Sequence, residues 1–191
     1  MDKFWRATGN FADYKTPISD GEILHSPQLL REGFELDPES LKLRFMRRGK
    51  RENRVLGSFT AWRPGILTPE REVFEILRPL IEPSARCFDV NIGKRPYVIC
   101  IVNRKLDAFD RTRSRFQRFG EDEDLTDCTL SAGSGVNLRK IFLKSNFQTD
   151  AYVFRLEGEP PLQLEIIVSD EFYQTYHAHK LTGLIFQSVG Q

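Results

Sequence analysis

The chain has 191 residues and carries 28 Lys+Arg against 27 Asp+Glu, a formal net charge of +1. With a pI of about 7.7, this balance sets it apart from dedicated nucleic-acid domains, whose pI commonly exceeds ~9. Its three cysteines (Cys87, Cys100, Cys128) include no CxxC pair, which excludes a disulfide framework and fits reduced thiols in a reducing compartment.

At the N-terminus, Met1-Asp2-Lys3-Phe4-Trp5-Arg6 is followed by polar residues rather than an apolar h-region, so no signal peptide is expected. The longest strongly apolar run, Tyr97 to Val102, is far short of the ~20 residues of a membrane helix. Both features point to the cytoplasm. The first 40 residues scatter aromatics, Gly and Pro without a sustained period and read as extended or irregular chain wrapping over the rest.

Leu41, Leu43 and Phe45 alternate with Lys42 and Arg44, the period of a half-buried strand. Arg48-Gly49-Lys50 follows as a turn, and a second strand is expected from Val55 to Trp62, weakened by Gly57. The clearest helix comes next. Thr68 suits the N-cap, Pro69 the first helical position, and Glu70 and Glu72 the positive end of the dipole. Val73, Phe74, Ile76, Leu77, Leu80 and Ile81 form its apolar stripe, and Pro79 is expected to kink or end it.

A hairpin is expected over Cys87 to Ile92 and Tyr97 to Asn103, turning at Gly93-Lys94. Later strands are placed at 140–143, 151–156 and 164–168. Ser169 caps a second helix, with Asp170 and Glu171 in its first turn, running to about Lys180; Gly183 connects it to a strand at Leu184-Ile185-Phe186. Hairpins mixed with unevenly spaced helices predict an α+β fold: a single domain over 1–191 with a mixed, mostly antiparallel sheet and a few packed helices.

No catalytic or metal constellation emerges from spacing. On a helix, His177 and His179 point about 200° apart and cannot meet one ion. The remaining histidine, His25, stands alone, and no HExxH or Cys/His cluster occurs. There is no GxSxG elbow, and Cys100, inside an apolar strand, reads as a small core residue. Gly133-Ser134-Gly135 lacks the Lys-Ser/Thr of a P-loop. The acidic run Glu121-Asp122-Glu123-Asp124, with Asp127, lacks the alternate ligands and glycine of an EF-hand and reads as a solvated loop. No cofactor is expected and the chain is not expected to be an enzyme.

Two basic stretches are candidates for contacts. Arg47, Arg48, Lys50, Arg51 and Arg54 cluster around the first turn; Arg111, Arg113 and Arg115 recur at every second position, with Arg118 beyond, so an extended chain would align them on one side. Interleaved Phe109, Phe116 and Phe119 make residues 109–119 compatible with single-stranded nucleic acid. A solvated edge that deters strand pairing is the favoured reading, given the near-neutral total charge.

From Gly65 onward the succession of features resembles a known family. Ile66-Leu67-Thr68 leads into a helix. Tyr97-Val98-Ile99-Cys100-Ile101-Val102-Asn103 is followed by Leu106-Asp107-Ala108-Phe109-Asp110 and Ser114. Val153-Phe154-Arg155-Leu156 precedes Ile166-Ile167-Val168-Ser169-Asp170-Glu171-Phe172 and Leu181-Thr182-Gly183-Leu184-Ile185-Phe186. This order is similar to the immunity proteins of bacterial polymorphic toxin systems, closest to immunity protein family eleven and its relative, family forty-three. The resemblance spans about residues 65–189 and leaves out the first 60 residues and the charged stretch around Glu121.

The resemblance implies a cytoplasmic binding protein that neutralises a cognate toxin without catalytic residues of its own, using complementary charge and a few buried anchors. The expected contact surface is Arg47, Arg48, Lys50, Arg51, Arg111, Arg113, Arg115, Glu121, Asp122, Glu123 and Asp124. A membrane partner is not expected, nucleic acid is disfavoured, and self-association is left open.

Overall fold

The computed structural model describes residues 3–19, 37, 41–45, 54–118 and 136–191. Two five-stranded sheets organise them. The first has the order β12-β1-β11-β10-β7 and is built from Leu184–Val189 (β12), Phe4–Gly9 (β1), Ile166–Ser169 (β11), Val153–Leu156 (β10) and Lys105–Leu106 (β7). The second has the order β2-β3-β5-β6-β4, from Pro17–Ser19 (β2), Leu43–Phe45 (β3), Ala85–Ile92 (β5), Arg95–Val102 (β6) and Ile66–Leu67 (β4). A separate ribbon pairs Arg115–Arg118 (β8) with Val136–Lys140 (β9). The pairings are mostly antiparallel, with β10–β7 and β3–β5 parallel. This is the mixed α+β architecture expected from the sequence.

The N-terminal residues do more than wrap. β1 lies between β11 and β12 and pairs antiparallel with both, Phe4 opposite Ser169 and Val189. Its pattern escapes a search for alternation because both faces of this sheet are covered. Ala7, Val153, Ile166 and Val168 enter one core, while Phe4, Phe154, Leu156, Ile167 and Val189 enter another on the opposite face. In β6, Tyr97 to Val102 are all essentially inaccessible. Val98, Cys100 and Val102 join the first core, and Tyr97, Ile99 and Ile101 a third with Leu43, Trp62 and Ile92.

The first core also receives both main helices, Arg71–Ile81 (α1) and Asp170–Ala178 (α3); a four-residue helix, Pro160–Gln163 (α2), precedes β11. Val73, Phe74, Leu77, Leu80 and Ile81 are buried, as their spacing predicts, whereas Ile76 is exposed. Burial of each large side chain in that stripe contributes about 1.5–3 kcal/mol. α1 starts later than its sequence suggests. Glu70, not Thr68, is the N-cap, and it makes no side-chain capping bond. The reason is tertiary: the Thr60 N–H donates to Thr68 O, the Val98 N–H to Pro69 O and the Glu70 N–H to Ser58 O. These bonds hold residues 68–70 extended between β6 and the 58–60 segment. Pro79 does not stop α1, which runs two residues further before a 3₁₀ turn over Glu82–Ser84.

Residues 55–62 form isolated bridges at Val55 and Phe59 rather than the expected strand. The strand expected at 140–143 is displaced, β9 ending at Lys140 and Phe142 and Leu143 making single bridges. The hairpin turns at Gly93-Lys94 as predicted, with Gly93 at φ +66°, in the left-handed region that glycine enters without strain. The turn expected at Arg48-Gly49-Lys50 and the loops around His25, Cys128 and Gly133-Ser134-Gly135 lie outside the described residues.

α3 starts where its capping signal says. Ser169 Oγ accepts from the Phe172 N–H at 3.2 Å, and Asp170 and Glu171 fill the first turn. Ser169→Ala is expected to cost about 1 kcal/mol. A lower urea midpoint with an unchanged denaturant slope would show it; an unchanged midpoint would mean that packing alone sets the helix start.

Candidate partner interface

The contact residues expected from sequence divide in two. Arg47, Arg48, Lys50, Arg51, Glu121, Asp122, Glu123 and Asp124 lie outside the described residues. Arg111, Arg113 and Arg115 are placed, but not along one extended strand. Arg111 and Arg113 sit in a turn, and only Arg115 begins β8.

Asp110 makes that turn. Its Oδ1 accepts the Thr112 and Arg113 N–H groups at 3.1 and 3.2 Å and the Thr112 hydroxyl at 2.7 Å. Such Asx geometry competes with extended backbone, which is why the alternate arginines do not align. The hydroxyl of Thr112, helped by the two amides, holds the Asp110 carboxyl below its ordinary pKa. Ser114, fully buried, ties the turn down: its Oγ donates to Asp110 O at 2.6 Å and accepts the Phe142 N–H at 3.0 Å.

The arginines are held by neighbours of several kinds. Arg111 Nη1 lies 3.3 Å from Glu159 Oε2, and its guanidinium sits 5.9 Å from the Phe116 ring centroid. Arg113 Nη2 donates to Gln191 O at 2.8 Å, and its guanidinium lies 4.8 Å from the Phe142 centroid. Lys140 Nζ is 4.9 Å from that same ring, so two cations share one aromatic quadrupole. Arg115 Nη1 donates to the carbonyls of Arg113 and Ser114. Phe116 is buried, with Phe109 edge-on to it at 6.2 Å; both rings of the 109–116 stretch are used in packing. The result is a pre-formed basic corner, with each guanidinium anchored rather than free to search.

A second surface had no signal in the sequence. Trp5 of β1 stacks on Tyr173 of α3, centroids 4.0 Å apart and planes within 9°, and its indole N–H donates to Asp170 Oδ1 at 3.0 Å. His177 lies against Tyr173 at 4.3 Å, and Phe186 of β12 meets Tyr173 edge-on at 5.2 Å. Trp5, Tyr173 and Phe186 are half-buried and His177 is exposed. Large, partly exposed aromatics held rigid by stacking are the side chains that most often anchor protein interfaces. His179 lies beyond this cluster, as the helix C-cap. Among the described residues, no three His, Cys, Asp or Glu side chains converge to hold a metal, and no helix is long and apolar enough to cross a membrane.

A shallow hollow on β5 and β6 is lined by Arg71, Asp89, Val90, Asn91, Pro96 and Tyr97. Arg71 pairs with Asp89, while Arg95 Nη1 and the Tyr97 hydroxyl reach Glu70 Oε1 at 2.9 and 3.3 Å. Its charges are thus satisfied by one another.

No curated protein matches the chain in sequence. The model of the immunity protein family (Imm11) matches residues 85–191, from the start of β5 through the C-terminus and more than half of the chain. That span holds the hairpin, the basic corner, α3 and β12, and the chain belongs to the immunity protein family (Imm11).

Proposed function

We propose that this protein binds and neutralises a cognate toxin in the cytoplasm of the bacterium that makes both, as the immunity component of a polymorphic toxin system. Family membership carries this reading. Inhibition by complex formation requires a rigid surface of complementary charge and shape and no chemistry by the inhibitor. The Asp110–Arg115 corner supplies fixed positive charge, and the Trp5–Tyr173 stack supplies a pre-ordered aromatic face. In this reading the basic segment 47–51 and the acidic segment 121–124 extend the contact surface.

Co-expression with the toxin encoded by the neighbouring gene tests it: growth is restored, and the two proteins co-purify. A toxin that neither binds this chain nor is blocked by it removes the proposal for that pair. Within a complex, Arg111→Glu with Arg113→Glu is expected to slow association by roughly ten-fold at low salt and to flatten its salt dependence, because fixed charge acts chiefly on encounter. Unchanged association kinetics would move the interface away from the basic corner.

A further inference from the structure

Two cysteines that are 13 positions apart in sequence become direct neighbours in the hairpin, Cys87 on β5 opposite Cys100 on β6. The hydrogen bonds flanking them define the kind of pair. The Asn103 N–H donates to Ser84 O on the β5 side, whereas the Val98 N–H turns away and donates to Pro69 O. Residues of Cys100's parity therefore direct their main-chain groups away from β5, so Cys87 and Cys100 occupy a non-hydrogen-bonded site. At such sites opposed Cα atoms lie about 4.5 Å apart with side chains on the same face. A disulfide spans Cα separations from ~4.4 Å upward. The strands need not move to join the two sulfurs.

We propose that Cys87 and Cys100 form a dithiol modification site that a hydroperoxide-class oxidant converts to a cross-strand disulfide. The two thiols have different standing. Cys100 is wholly buried in the first core, and Cys87 packs against the edge of that core and is partly exposed. A hydrogen bond from Cys100 holds the Cys87 thiol below its ordinary pKa, while burial pushes Cys100 up. The accessible sulfur is thus the one favoured as thiolate, which is the nucleophilic form.

The Cys87 thiolate attacks one peroxide oxygen. The S–O bond forms, the O–O bond breaks, and the departing hydroxide takes a proton and leaves as water. The Cys100 sulfur then attacks Cys87 sulfenic acid. The S–S bond forms, the S–O bond breaks, and the Cys100 proton leaves with the hydroxide as a second water. Two thiols have lost two electrons and two protons to the peroxide. A resolving thiol beside the sulfenic acid diverts Cys87 from irreversible over-oxidation.

The test is peptide mapping of the full-length protein after hydrogen peroxide treatment and alkylation of the remaining thiols. The expected result is one peptide pair linking Cys87 to Cys100, loss of alkylation at both, and recovery with dithiothreitol. In folded Cys100→Ser protein, checked by circular dichroism, Cys87 is expected to gain oxygen and to form no internal link. Continued alkylation of both thiols would overturn the proposal. So would oxygen addition at Cys87 of the unmutated chain without linkage, or a link formed only to Cys128 or between chains.

Discussion

Arg6→Ala is expected to destabilise the protein by about 3–5 kcal/mol, the cost of removing one partner from a buried ion pair. Arg6 Nε and Nη2 each lie 2.6 Å from a carboxylate oxygen of Glu165, and Nη1 donates to Leu138 O at 2.7 Å. One side chain thereby joins β1, β9 and the entry to β11. The two side chains are only 18% and 11% exposed, so the charge left on Glu165 has little access to water. For a domain of this length the melting temperature falls on the order of 10 °C. Glu165→Gln introduced beside Arg6→Ala should recover part of the loss, because it removes the orphaned charge.

The pH dependence carries its own signature. Burial raises the Glu165 carboxyl pKa, with Arg6 opposing that rise. The folded state then holds the proton more tightly than the unfolded state. Stability from this group is greatest at or below the ordinary value of 4.5 and declines as pH rises toward the folded-state value. Removing Arg6 removes the opposing influence, so the Arg6→Ala deficit should be larger at neutral pH than near that ordinary value. Urea denaturation at both pH values measures it; an equal deficit would show that lost packing, not charge, is the cause.

Gly183→Ala is expected to have an effect of similar size. Gly183 has φ +102°, and a Cβ there would sit 2.1 Å from Phe59 O and 3.1 Å from Phe59 Cβ. Backbone strain of this kind costs about 1–3 kcal/mol, and forced overpacking adds about 1–3 kcal/mol. The neighbouring bonds offer no easy retreat: the Asn10 N–H donates to Gly183 O and the Phe59 N–H to Thr182 O, each at 2.8 Å. Gly183 therefore seats β12 against β1 and brings Phe186 to the Trp5–Tyr173 stack. The variant should lose several kcal/mol in equilibrium denaturation. A loss below about 1 kcal/mol would mean the 57–60 segment can shift aside.

The glycine's place in the Leu181-x-Gly183-Leu184-x-Phe186 segment was legible in the sequence, but its reason was not. Spacing shows a connection between helix and strand; the close approach of Phe59 comes from a segment more than 120 residues earlier. The basic candidates show the same limit. Alternate arginines at 111, 113 and 115 imply an extended edge, yet the Asp110 carboxylate and the buried Ser114 hydroxyl bend that stretch into a turn. Trp5 lies on a segment with no local sign of the helix that carries Asp170 and Tyr173, and the indole–carboxylate bond spans 165 positions.

What the sequence determined by itself were features whose causes act within a few residues. Ser169 caps α3 through an amide three positions away, Gly93 turns the hairpin between its own strands, and the stripe from Val73 to Ile81 marks the buried face of α1. Of the order of features read from Gly65 onward, the part within residues 85–191 also carried the family. The tertiary structure alone decided that Phe4–Gly9 occupies the middle of a sheet, that residues 68–70 stay extended before α1, and that Cys87 faces Cys100. It also decided that Arg6 meets Glu165. These outcomes depend on which distant strands pair and in what register, and on sheets buried on both faces, where the two-residue alternation of a half-exposed strand is erased.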